Sequence, residues 1–205
     1  MPPINPVISS DLDEIIGRDL PWGELENATV LVTGASGMLP SYAVRVLLRL
    51  NDQRGAGITV HGLVRNEKKA RTALADILER DDFHLIVQDV AEPLTLEGPV
   101  DLIIHGASAA RPSLHSSDPI GTMRANLLGT FNLLDLAVRK GSVFSLMSSS
   151  EVYGAQPEGV ELISEDSYGG FDILNPRACY SEGKRAAETL CATYSALHGI
   201  TCRIA

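Results

Sequence analysis

The sequence predicts an α/β fold: a doubly wound parallel sheet with helices on both faces. Two observations carry this. Short apolar runs, rich in β-branched residues, alternate with amphipathic stretches from residue 29 to the end of the chain. The runs are apolar throughout rather than alternating, as expected of strands covered on both faces.

Residues 1–27 read as a leader rich in Pro and acidic residues, with a short amphipathic piece, Leu12–Ile16, and Trp22. It is expected to pack on the outside of the domain or to belong to an oligomer contact. Thr29-Val30-Leu31-Val32-Thr33 is too short for a helix and reads as a buried strand. It runs into Gly34-Ala35-Ser36-Gly37, and a helix follows with Leu39, Ala43, Val46, Leu47 and Leu50 at helical spacing. Further strands are expected at Ile58–Val64, Phe83–Gln88, Asp101–His105, Val143–Ser148 and Thr201–Ala205. Helices are expected at Glu67–Glu79, Pro119–Arg139 and Arg177–His198, the last with Ala186, Leu190, Tyr194 and Leu197 on one side. The long loop Gly154–Asn175 is of a length that is usually functional. The chain stops in an apolar strand, where a domain seldom ends, so a fragment or a partly observed chain is expected.

The 205 residues, 44% hydrophobic and 21% charged, suit a globular domain with a full core. A net charge of −9 argues against nucleic acid or anionic membrane as the main partner. Met1–Ser10 lacks a basic region followed by an apolar run, and no stretch approaches the roughly 20 apolar residues of a membrane span. Cys179, Cys191 and Cys202 are odd in number and lack a C-x-x-C pair. They suggest free thiols in a reducing cytoplasm rather than a disulfide or metal site.

The strand–Gly34-Ala35-Ser36-Gly37–helix unit is a dinucleotide signal of Rossmann type. Glycines let the backbone approach a pyrophosphate, and the helix start offers free N–H groups and partial positive charge. Gly34, Ser36, Gly37, Met38 and Leu39 are therefore candidate cofactor contacts. Pro40 stands where a third glycine often sits; it suits a first helical turn but removes the small contact that lets helix and strand pack closely. At the end of the second strand stands Arg65, where NAD-binding chains place a ribose-binding carboxylate. It suits the 2′-phosphate of NADP, a stack on adenine, or simple solvation. Asp89-Val90, after the third strand, is expected near the adenine.

Tyr180 and Lys184 lie one turn apart on the predicted last helix, on one face. An ammonium beside a phenol favours the phenolate, which can then exchange a proton with a sugar hydroxyl. Alone, Tyr-x-x-x-Lys is also common on ordinary surface helices. The fifth strand delivers Ser148-Ser149-Ser150-Glu151-Val152-Tyr153-Gly154 to the carboxyl edge of the sheet, where open α/β folds bind ligands.

This set, in this order, resembles the extended short-chain dehydrogenase/reductases that modify nucleotide sugars, the NAD-dependent epimerase/dehydratase family, and within it the UDP-glucuronate decarboxylases. The resemblance covers residues 28–205 and implies that they are the NAD(P)-binding Rossmann domain of a longer protein, with a small C-terminal substrate subdomain missing from this chain. Its most specific parts are Asp89-Val90-Ala91-Glu92-Pro93-Leu94, Asp118-Pro119-Ile120-Gly121-Thr122 with Asn126 and Gly129-Thr130, and 175–185, Asn-Pro-Arg-Ala-Cys-Tyr-Ser-Glu-Gly-Lys-Arg.

The resemblance implies a Ser149/Tyr180/Lys184 triad with Tyr180 as base, Ser150 and Glu151 against the sugar ring, and Arg177 facing the substrate carboxylate or the adjacent hydroxyls. It implies Ala107, Ser108 and Asn126, with Tyr180 and Lys184, beside the cofactor. That cofactor is NAD, with NADP open because of Arg65. The stretch Gly106–Pro112 resembles the nicotinamide-side loop in part. The implied reaction is transient C4 oxidation of a nucleotide sugar followed by decarboxylation, in a homodimer joined as a four-helix bundle through the helices of residues 119–139 and 177–198. A 4-epimerase needs only the triad. A 4,6-dehydratase pairs two carboxyl groups, of which Ser150-Glu151 offers one. A dinucleotide-binding sensor would need none of Ser149, Tyr180 and Lys184.

Overall fold

The computed structural model describes residues 4–108, 112–156 and 158–205. The six expected strands form one sheet: β1 (Thr29–Thr33), β2 (Thr59–Val64), β3 (Phe83–Val87), β4 (Leu102–His105), β5 (Val143–Leu146) and β6 (Cys202–Ile204). Their order is β3-β2-β1-β4-β5-β6, and every neighbouring pair is parallel. The winding direction reverses between β1 and β4, so the crevice beyond their carboxyl ends is where such a sheet binds ligands. Thr33, the last residue of β1, is in register with Leu63 of β2 and His105 of β4.

The helices are α1 (Pro6–Ile16), α2 (Met38–Arg54), α3 (Glu67–Ala73), α4 (Pro112–Ser117), α5 (Pro119–Lys140) and α6 (Cys179–His198). Alternate residues of the apolar strands feed opposite faces. Val30, Val32 and Val60 join Val44, Leu47 and Leu48 of α2 in one cluster. Leu31, Leu63, Ile103 and Phe144 join Leu133 and Leu134 of α5 and Ala187 and Cys191 of α6 in the other. Each such buried side chain contributes roughly 1.5–3 kcal/mol. Asp118 fixes where α5 starts: its carboxylate accepts the Gly121 N–H at 2.9 Å, and Pro119 supplies the first turn.

The leader packs on the outside of α2. Leu12 and Ile16 are buried, Tyr42 donates its hydroxyl to Asp11 at 2.7 Å, and Arg49 donates to Ser9 at 2.8 Å. Trp22 sits in a 3-10 turn, Trp22–Leu25, against the first cluster. Among the described residues, no helix is long and apolar enough to cross a membrane.

Several expectations are corrected. The helix expected over Glu67–Glu79 ends at Ala73. The buried Arg45 guanidinium takes the Ala73 carbonyl at 2.8 Å and grips Asp76 at 2.6 and 2.8 Å. The Ile77 N–H, which a continuing helix would give to Ala73, goes to Leu74 instead. On α6 the inward stripe is Tyr180, Lys184, Ala187 and Cys191. Beside it Leu190 and Tyr194, half-buried, pack against the second cluster, Tyr194 also reaching α5 through a 2.7 Å bond to Asp135, and Leu197 is exposed. Arg177 precedes α6, in a 3-10 turn over Pro176–Ala178. Strand ends shift by one or two residues, within the usual fraying. Of the expected nicotinamide-side loop Gly106–Pro112, residues 109–111 lie outside those described.

Candidate active site

The glycine loop is built by close backbone approach. Gly34 has φ +68°, and a Cβ there would lie 2.9 Å from the Ala107 Cα. Only glycine lets the loops after β1 and β4 touch at this point. The Gly34 and Ala35 N–H groups donate to Leu63 O at 2.8 and 3.3 Å, anchoring the loop to β2 beside the half-buried Ser36. Gly37 begins α2 without a side-chain cap, and Met38 and Leu39 stand exposed above it. Leu39 therefore leaves the apolar stripe expected for α2. Pro40 is buried in the first turn, where its missing N–H costs nothing. A Cβ on Gly106 would lie 2.6 Å from the Pro40 ring, so close packing survives, with the small residue moved from the helix to Gly106. The Met38 and Leu39 amides remain as donors at a positive helix end, a fit for a pyrophosphate.

Arg65 is exposed and pairs with Asp89 at 3.7 Å. A 2′-phosphate would have to share Arg65 with that carboxylate. Asp89 also accepts the Ala91 N–H at 2.9 Å. Val90 turns its side chain into the core, where a Cβ on Gly129 would lie 2.8 Å from it, so it cannot offer that side chain to a ligand. Ser108 donates to Asn126 Oδ1 at 2.9 Å. Asn126 Nδ2 is buried with no partner among the described residues, a donor left available to a ligand. It lies against Gly183, where a Cβ would come within 3.2 Å. Gly183 thus lets α6 pass Asn126 between Tyr180 and Lys184.

At the chemical end, Tyr180 and Lys184 are both buried. Lys184 Nζ donates to Met147 O at 2.5 Å. Burial pushes the Lys184 ammonium down from 10.5 to about 8, and Glu188, one turn on, works against the shift. Glu188 in turn accepts from the Ser148 hydroxyl. Thr33 Oγ1 accepts the Ala107 N–H at 3.2 Å and shares a hydrogen bond with His105 Nδ1 at 2.8 Å. His105 is neutral. Burial, and next the Lys184 charge, lower its pKa to about 3.

Ser149 caps the turn Ser150–Tyr153, its hydroxyl accepting the Glu151 N–H at 3.2 Å, while Ser150 is exposed. Glu151 receives two bonds from Arg177, at 3.0 and 3.2 Å, and one from Ser181 at 2.7 Å. The Arg177 guanidinium first, then Ser181, hold the Glu151 carboxyl below its ordinary range against the opposing cost of burial. Both ends of the Arg177 guanidinium donate to Glu151, because a planar fork matches a carboxylate with two parallel bonds. Arg185 donates to Val152 O and lies over the Phe171 ring at 4.5 Å, tying the long loop to α6.

The sequence reading missed His115, His105, Ser181 and Arg185. His115 on α4 is buried, and its ring stacks on Tyr180 with centroids 4.4 Å apart and planes 11° from parallel. Only Ser181 and Arg185 had a signal, their adjacency to the Tyr-x-x-x-Lys pair. The turn after β5 and the residues leading into α6 thus join Ser149, Glu151, Arg177 and Ser181 through hydrogen bonds, with Tyr180 and Lys184 on the first turns of α6, while Arg65 and Asp89 pair beyond the ends of β2 and β3.

Residues 30–205 match the model of the NAD dependent epimerase/dehydratase family. The chain is 38% identical over 182 residues to UDP-glucuronic acid decarboxylase 1 of Danio rerio, covering 89% of this chain and 41% of that protein. It is 37% identical over 182 residues to UDP-glucuronic acid decarboxylase 6 of Arabidopsis thaliana, covering 87% and 50%. Among solved structures it is similar to DesIV, a dTDP-glucose 4,6-dehydratase from Streptomyces venezuelae with NAD bound. There the TM-score is 0.71 at 25% identity, over 86% of this chain and 54% of that one. The chain thus spans about half, or less, of the length of these relatives.

Proposed function

The chain belongs to the NAD dependent epimerase/dehydratase family, and on that premise we propose that it carries the cofactor-binding and proton-transfer part of a nucleotide-sugar enzyme. The reaction proposed is decarboxylation of a UDP-glucuronate-like substrate. The observation that carries this is the buried Lys184 ammonium one turn from the buried Tyr180, beside the Glu151–Arg177–Ser181 cluster.

Gly34, Ser36, Gly37, Met38 and Leu39 would hold the pyrophosphate of NAD, Arg65 and Asp89 its adenosine, and Ala107, Ser108 and Asn126 its other end. When bound, the nicotinamide supplies reversible hydride acceptance. Tyr180 removes the proton from the C4 hydroxyl, and the fixed charge of Lys184 stabilises the tyrosinate that does so. The Ser149 hydroxyl shares its hydrogen bond with that oxygen. A ketone at C4 makes the neighbouring carboxylate a β-keto acid, which releases carbon dioxide; the electron pair left at C5 is held as the enolate of the ketone until C5 takes a proton from solvent. Tyr180 then returns the proton as C4 is reduced, and the cycle is redox-neutral. NAD is favoured over NADP because Asp89 already engages Arg65.

The state of Glu151 weighs against 4,6-dehydration, since a carboxyl held ionised by Arg177 is a poor proton donor. A 4-epimerase, needing only the triad, is the alternative within enzymes. A homodimer through α5 and α6 accompanies this reading. Its support is an apolar groove of about 510 Å³ lined by Ile120, Met123, Leu127, Leu128, Ile173 and Leu174, and sedimentation of the full-length protein checks it. The three free thiols fit a cytoplasmic location.

The test is incubation of the full-length protein with UDP-glucuronate and NAD, read by product mass. Loss of carbon dioxide supports the proposal. An unchanged mass with a new sugar means epimerisation, loss of water means dehydration, and no turnover of any nucleotide sugar despite bound cofactor means a sensor.

A further inference from the structure

His115 belongs to none of the segments from which the proton-transfer chemistry was read, yet it is 1% exposed inside the candidate site. It comes from α4, a helix of one and a half turns between the loop after β4 and the start of α5. Its imidazole lies 4.4 Å from the Tyr180 ring at 11°, close to parallel. Its backbone is tied to the same place, because the Cys179 thiol donates to the His115 carbonyl at 3.6 Å.

We infer that His115 is the positioning residue for Tyr180: the stacked imidazole fixes the plane of the phenol from which the proton is exchanged. This rests on the reading of Tyr180 as the proton-transfer residue and extends it to a segment outside the triad. The physical need is plain. A tyrosine side chain is free to swing about χ1 and turn about χ2, while proton transfer requires its oxygen within about 2.6–3.2 Å of the substrate hydroxyl. Helix α6 fixes the Tyr180 backbone but not its ring. A flat side chain on the ring face restricts both motions without competing for the hydroxyl. Imidazole suits a site that also holds Glu151, Arg177 and Lys184, since it offers a flat face and polar edges in one group. Displacements of about 1 Å in such a constellation cost up to 10²-fold in rate.

The experiment compares His115→Leu, which fills the space without a flat ring, with His115→Phe, which keeps the flat ring without nitrogen. Both are made in the full-length protein with Tyr180→Phe as control, and melting temperatures show that each variant folds. His115→Leu is expected to lower kcat on the order of 10-fold, leaving KM and NAD affinity unchanged, and His115→Phe to recover most of the loss. Proton NMR supplies a readout that needs no substrate. The Tyr180 ring signals, assigned by their absence in Tyr180→Phe, should be shifted upfield by the stacked ring in the wild type and in His115→Phe, and should lose that shift in His115→Leu. Wild-type kcat in His115→Leu, with Tyr180→Phe inactive, would overturn the positioning role alone. So would equal losses in the Leu and Phe variants. Turnover by Tyr180→Phe would instead remove the proton-transfer reading, and this one with it.

Discussion

The two ends of the crevice are made of different materials. The end proposed for the nucleotide is backbone: Gly34 pressed against Ala107, an uncapped α2, and the Met38 and Leu39 amides. Its charged side chains, Arg65 and Asp89, are solvent-exposed and half-exposed, and a pair of that kind is worth about 0–1 kcal/mol. The chemical end is side chain: Lys184, His105, Tyr180 and His115 buried together, with Glu151, Arg177 and Ser181 at the rim. Backbone binding tolerates most substitutions and leaves the fold at little risk. Buried titratable groups are costly, and for Lys184 and His105 the cost is visible as a lowered pKa.

Short of removing the Tyr180 hydroxyl itself, the largest effect should come from Lys184→Met. Turnover is expected to fall about 10²–10⁴-fold, the usual worth of positioned proton transfer, while the protein becomes more stable. The folded pKa of Lys184 is about 8 and the reference value is 10.5. Between those pH values the unfolded chain holds the extra proton, so stability rises with pH through the window. Below it the buried charge costs about 3 kcal/mol. The variant loses that cost and also the Met147 hydrogen bond, worth about 1 kcal/mol. Thermal melts should therefore show a higher Tm at pH 7 and no rise between pH 8 and 10. A lower Tm at pH 7 would mean that the ammonium is not strained by burial.

Gly34→Val should do the converse, striking binding rather than chemistry. A β-branched residue at φ +68° that also collides with the Ala107 backbone should shift the loop by enough to weaken NAD more than 10-fold by calorimetry, with a stability loss of about 1–3 kcal/mol. Unchanged NAD affinity would place the cofactor elsewhere.

How much of this was legible in the sequence follows the same division. Local signals were readable: β1 running into Gly34–Gly37, the strand ends, and Tyr180 one turn from Lys184. What needed three dimensions was not. Glu151 and Arg177 are separated by the long loop, so nothing local announced their pairing. Arg45 cutting α3 short acts across 28 residues to Ala73. Helix α4 has too few turns to show a period, which hid His115. Pro40 looked like a loosened contact because its counterpart, Gly106, lies on another strand's loop.

Smaller effects sharpen the contrast further. Glu151→Gln keeps the shape but gives up the charge that holds Arg177. We expect kcat to fall about 10-fold, as for loss of one positioned polar group, with NAD affinity unchanged in a binding assay. Arg65→Glu should be the mildest: a few-fold weaker NADP binding and little change for NAD, measured side by side. Equal effects on both would mean that Arg65 never meets a 2′-phosphate.

The most direct test of the central claim, that binding and chemistry reside in separate ends, is Tyr180→Phe in the full-length protein. NAD affinity and turnover of UDP-glucuronate are measured on the same preparation. The structure predicts NAD binding close to wild type and turnover reduced to background. Activity retained, or NAD binding lost along with it, would contradict the division between a backbone cradle and a side-chain reaction centre.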